Sequence, residues 1–216
     1  MRHENSRILF AYWERIRSGR QAPRREEIEP SDIRHLLGDT FILDVSDSLR
    51  TISYRLAGTR LCAAYGKELK GMGFLVPWDE MECFEISRML TKVYRDFQPH
   101  VLCSLGKTAS GKFVKFETIF LPLQPVSNGN FRILGISTPT KTPYWLGAEP
   151  ITSTTVRSIR PIADLKITVN NNVSIAPEYG SDGHPDNSQL TGNDDQQAAE
   201  AIRKVAHLTV HDGGKP

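Results

Sequence analysis

Between Phe41 and Ser137 the side-chain period changes twice, and this order of periods limits the chain to a few architectures. Residues 41–47 (FILDVSD) alternate, with Phe41, Leu43 and Val45 on one side and Ile42 and Asp44 on the other. A polar turn leads to a second short run at 52–56, and the two form a natural hairpin. The period then becomes helical in DEMECFEISRMLTKVYRDF, where Met81, Phe84, Ile86, Met89, Leu90 and Val93 trace a stripe and Asp79 is a good cap. Three strand-like runs follow over 100–107, 113–123 (partly alternating) and 131–137, with Asn128-Gly129 favouring a hairpin between the last two. Two strands, helices and three strands predict an α+β fold: one five-stranded antiparallel sheet with helices on one face. The other face is left to water, to the N-terminal helix, or to a second subunit. A small cavity is expected in the helix–sheet interior.

The rest of the chain divides around that unit. Residues 4–19 read as an amphipathic helix carrying Ile8, Leu9, Tyr12, Trp13 and Ile16 on one stripe, with Gly19 as its stop. A linker punctuated by Pro23 and Pro30 follows, then a short helical turn over Ile33 to Leu37. The segment GTRLCAAYGKELKGMGF suggests short helices joined by tight loops. We therefore expect a helix and linker over 1–30, a core domain over 31–140, and a largely disordered extension over 141–216. Residues 170–195 are rich in Asn, Asp, Ser, Gly and Pro, while Ala198, Ile202, Val205 and Ala206 share one face of a short candidate helix.

Charge narrows the function classes. From Asn170 onward there are 3 basic and 7 acidic residues, leaving 24 basic against 18 acidic before it. A mildly basic body with an acidic tail lacks the clustered basic face of a nucleic-acid binder. Cys62, Cys83 and Cys103 are sparse and unpaired in sequence, which fits reduced thiols and a cytoplasmic protein. No apolar run reaches membrane-span length, and the charged N-terminus is not a secretory signal.

The stretches YWERIRSGRQAPRREEIEPSDIRHLL, FILDV and YRLAGTRLCAAYGKELKGMGFLVPW resemble the PAS-domain family, in particular single-domain members widespread in alphaproteobacteria. The resemblance covers Tyr12 to Ser137. It implies a five-stranded PAS sheet and a signalling role, and it supplies no ligand. PAS domains that carry haem present a His from the long helix, and residues 79–97 contain none. Light-sensing flavin PAS domains carry a reactive Cys in an Asn-Cys-Arg-Phe type motif, and GKELKGMGF has no Cys. No cofactor is therefore expected, and a small ligand remains open.

Candidate site residues each have a plain alternative. Arg55, Arg60, Tyr65, Trp78 and Arg132 would surround one cavity in a PAS arrangement and fix a ligand by charge-assisted hydrogen bonds. Otherwise the arginines pair with surface carboxylates and the aromatics fill the core. Tyr12 and Trp13 either cap the domain's own sheet or seal a dimer, and a homodimer using the N-terminal stripe is expected. His35 and His100 are lone histidines of the kind usually found at element ends. No metal site, Ser-His-Asp order, phosphate loop or paired-carboxylate spacing occurs. The expectation is a signalling regulator that binds another protein and is not an enzyme. A small-molecule enzyme on a cone-shaped α+β fold and a DNA-binding regulator are the competing readings.

Overall fold

The computed structural model describes residues 1–46, 51–125 and 130–162. The expectations for residues 170–195 and for the 198–206 helix, and the Asn128-Gly129 turn, lie outside the described residues. The described part forms one unit that packs around a single antiparallel sheet.

Strands β1 (Thr40–Ser46) and β2 (Thr51–Ala57) precede helices α2 (Thr59–Tyr65) and α3 (Glu80–Arg95), and α1 (Glu4–Arg17) comes before them all. Strands β3 (His100–Thr108), β4 (Phe113–Pro122) and β5 (Phe131–Pro139) follow. A sixth strand, β6 (Ile151–Pro161), closes the series, and the sheet order is β2-β1-β5-β4-β3-β6. The first five strands match the expected ones to within a residue or two. The sixth places a strand within the stretch 141–216 that was expected to be largely disordered, and it widens the five-stranded sheet; residues 163–216 lie outside the described residues.

Two irregularities hid β6. Its pairing with β3 shifts register between Cys103 and Ser104 and again between Lys107 and Thr108. Its inward residues Ile151, Thr154, Val156 and Ile159 are therefore spaced three, two and three apart, so no clean alternation exists to read.

Strand alternation sends two apolar sets to opposite faces. Phe41, Leu43, Leu102, Phe120 and Ile133 meet α3 through Ile86, Met89, Leu90 and Val93. Ile42, Val101, Ile119, Leu121, Leu134 and Ile136 meet α1 through Leu9, Tyr12 and Trp13. The N-terminal helix is thus part of the core. Trp13 is 1% exposed and its Nε1 donates to the Pro122 carbonyl at 2.8 Å. The Tyr12 hydroxyl accepts from the Glu29 amide at 2.8 Å, which also fixes the linker. The apolar stripe that called for a partner finds it in the chain's own sheet. Leu9, Tyr12 and Trp13 are buried and Ile16 partly so, while Ile8 stands at the helix surface. The dimer expectation thereby loses its argument from the apolar stripe, because these side chains already have an intramolecular partner.

Helix ends follow local chemistry. Asp79 accepts from the Glu82 amide at 2.8 Å and starts α3, as its sequence position predicts. The start of α1 is held by a buried carboxylate from the sheet face on which it packs: Glu117 of β4 accepts from the Arg2 and His3 amides at 2.8 and 2.9 Å. Burial alone would raise the Glu117 pKa. The two amides, the nearby Ser6 hydroxyl and the terminal ammonium outweigh it and hold the carboxyl below its usual value.

Candidate functional site

The loop between α2 and α3 folds back along the free edge of β2. The Tyr54 amide donates to the Met72 carbonyl at 2.9 Å, the Gly71 amide to the Tyr54 carbonyl at 2.6 Å, and the Phe74 amide to the Ile52 carbonyl at 2.9 Å. This lays Phe74 over an aromatic cluster with Phe41, Tyr54 and Phe120. The loop also meets the sixth strand, where the Thr154 amide donates to the Pro77 carbonyl at 2.8 Å. At the end of α2, Gly66 takes a left-handed φ of +64° and lies so close to Pro150 that a Cβ would come within 2.6 Å of its ring. Only glycine meets both demands.

Between these pieces lies a cavity of about 290 Å³, walled by Tyr54, Tyr65, Leu69, Met72, Val76, Pro150 and the first residues of β6, Ile151 and Thr152. Lys67, at its rim, is the one charged side chain lining it. Burial pushes the Tyr54 phenol well above its usual pKa, and the neighbouring Tyr65 and Cys62 add to this. Burial likewise raises Tyr65, against a contact with the Thr154 hydroxyl. Thr154 Oγ1 and Trp78 Nε1 are buried and make no hydrogen bond of normal geometry. A site with two neutral phenols, apolar walls and unpartnered polar atoms nearby suits an uncharged small molecule with one or two hydrogen-bonding groups.

The five residues expected to surround one cavity separate into three places. Arg55 and Arg132 share Asp44, at 3.1 and 3.2 Å. By alternation with Leu43, Tyr54 and Ile133, this trio belongs to the sheet face that carries α1, away from the cavity. Arg60 grips Asp39 with two hydrogen bonds, Nε to Oδ1 at 2.9 Å and Nη2 to Oδ2 at 2.7 Å, beside a separate depression near the start of α1. Tyr65 lines the interior cavity, and Trp78 packs on Phe74 behind its loop. The arginines thus form carboxylate pairs, the plainer of the two alternatives. Tyr54, Thr154 and the Pro150–Thr152 stretch are not among the residues expected from sequence. Tyr54 is the alternate neighbour of Arg55, and the others belong to the unrecognised sixth strand or directly precede it.

His35 supplies its carbonyl to Arg60, at 3.2 Å. His100 is buried with Nδ1 2.9 Å from the Gln98 carbonyl, and burial lowers its pKa. Among the described residues no group of three or more His, Cys, Asp or Glu could hold a metal ion, and the three cysteines are free. No helix of the described residues is long and apolar enough to cross a membrane.

Comparison with known proteins gives one family. The family described as PAS domain matches residues 1–138. The match begins at the first residue, so it takes in α1 as well as the first five strands, and it stops short of β6. No curated protein matches the chain.

Proposed function

The chain belongs to the PAS-domain family, and from that premise we propose that it is a cytoplasmic regulator of the single-domain alphaproteobacterial kind, acting by protein contact without turnover of its own. The fold gives a sensor and signalling role in general terms. The finer reading rests on the interior cavity walled by Tyr54 and Tyr65, with unpartnered polar atoms beside it. In this reading an uncharged small ligand occupies that cavity and biases the surface offered to a partner protein. It shifts output only through different affinity for two conformations, since equal affinity shifts nothing. Support for a binding role comes from the chemistry of the lining: two phenols, apolar side chains and Lys67 at the rim provide recognition for a small molecule.

Native mass spectrometry of the full chain, before and after denaturation, tests the cavity. The expected result is a bound small neutral molecule released on denaturation and reduced in Tyr54→Phe with Tyr65→Phe. A spectrum of the bare chain alone, from protein purified out of its own host, would argue against a ligand-modulated regulator.

A further inference from the structure

Helix α3 buries one stripe and leaves a second, different one in solvent. Met81 is 78% exposed and Phe84 is 69% exposed, one turn apart at the start of the helix. Single exposed apolar residues are ordinary. These two stand beside a groove of about 410 Å³ that runs along α3 to Met89 and across to Ile159 of β6 and His100 of β3. The same side of the helix continues through Arg88 and Lys92, which also line the groove. Neither cation has an ion pair among the described residues, and one carboxylate, Glu85, lines the groove with them.

We propose that this α3–β6 groove is the output surface and that it takes an amphipathic helix from a partner protein, with apolar anchors at helical spacing and acidic residues beside them. The proposal rests on the regulator reading above and names the chemistry of its partner. An apolar helix stripe fits a concave trough whose walls are a helix and a sheet edge. Met81 and Met89 supply flexible, polarizable walls that adapt to such anchors. Acidic flanks answer Arg88 and Lys92. A second copy of this chain is the competing occupant, and self-association in the test below separates it. A membrane surface is the other competing occupant, and the vesicle arm of the test below separates it.

The groove is also wired to the cavity. Glu82, between the two exposed apolar residues, accepts the Val156 amide of β6 at 2.6 Å. The beginning of β6 walls the cavity and its later part, at Ile159, walls the groove. A ligand that moves β6 therefore acts on both ends of one strand.

The test titrates the full chain against a fluorescein-labelled amphipathic helix of about 15 residues, apolar on one face and Glu-rich on the other, and against its Lys-rich counterpart. Wild type should bind the acidic peptide saturably. Met81→Ala with Phe84→Ala should weaken it by roughly tenfold, and Arg88→Glu with Lys92→Glu should transfer preference to the basic peptide. All four side chains are solvent-facing or at the groove wall, and an unchanged thermal midpoint verifies that each variant folds. Equal binding of both peptides, undiminished binding by the variants, groove-dependent attachment to phosphatidylglycerol-containing vesicles, or groove-dependent self-association would each overturn the proposal. Affinity capture from the native host separates this from the underlying reading. A specific partner held equally by wild type and Met81→Ala/Phe84→Ala leaves the regulator reading standing and removes the groove. No partner for wild type removes the regulator reading, and the peptide titration still decides the groove.

Discussion

The Glu82 carboxylate accepts the Val156 amide at 2.6 Å, joining the first turn of α3 to the outermost strand. An edge strand presents unpaired amides that invite another chain. Here two of them are covered by the protein itself, Val156 by Glu82 and Thr154 by the Pro77 carbonyl. Glu82→Ala leaves the Val156 amide without its charged acceptor. The expected cost is about 1–2 kcal/mol, read from urea unfolding, with an increased tendency to self-associate. Unfolding identical to wild type would show that the contact contributes nothing.

The same geometry makes β6 a structural part of the domain. A chain ended after Ile167 should unfold at the same denaturant midpoint as the core transition of the full chain. One ended after Ala148 should aggregate or lose cooperative unfolding, because it uncovers the β3 edge and removes buried Ile151 and Thr154. A well-folded monomer from the shorter chain would contradict the six-stranded assignment.

Trp13 decides whether α1 serves the core or an interface. In the core role, Trp13→Ala removes a fully buried indole and its hydrogen bond to Pro122. The expected loss is about 3–5 kcal/mol, seen in chemical denaturation at a concentration where subunit number is unchanged. A variant of normal stability that merely changes subunit number by light scattering would return the residue to an interface.

Glu117 makes the docking of α1 sensitive to acid. Its folded pKa lies below its unfolded one, so its contribution is complete above the unfolded value of about 4.3 and is lost as pH falls through the lower folded value. Glu117→Gln should lower stability by about 1–3 kcal/mol at neutral pH and flatten the decline of stability with acid. A parallel decline in wild type and variant would assign the acid sensitivity to other carboxylates.

Thr154 tests the cavity from the side of stability. Its hydroxyl is buried without a normal hydrogen bond, so Thr154→Val should stabilise the unliganded protein by about 1 kcal/mol. The same change should reduce retention of any cavity ligand in native mass spectrometry. Destabilisation of the ligand-free protein would mean that the hydroxyl already has a useful partner in Tyr65.

How much of this was legible in the sequence depends on parity and on partners distant in the chain. Phe41, Leu43 and Val45 alternate cleanly, and the first five strands follow from such patterns. The strand neighbours that pack them do not. Gly135 sits opposite Phe41, and a Cβ there would meet the ring at 2.2 Å, a constraint no local pattern reveals. The candidate site failed by one residue at two strands. Arg55 and Arg132 attract notice for their chemistry, yet their neighbours Tyr54 and Ile133 carry the opposite parity and face the α3 side. A one-residue step in a strand changes the face. Tyr65 could be chosen because it closes a short helix before a Gly turn. Its neighbour Thr154 could not, because two register shifts disguise the strand that brings it there.

The most direct test of the central reading is affinity capture of the full chain from its native host, comparing wild type with Trp78→Ala and Lys141→Ala. Lys141 is exposed and serves as the control. A specific partner protein is expected for wild type and Lys141→Ala, reduced for Trp78→Ala, with no metabolite turnover by the purified protein. Capture of no specific partner, or turnover of a metabolite at a rate abolished by a single substitution, would contradict that reading.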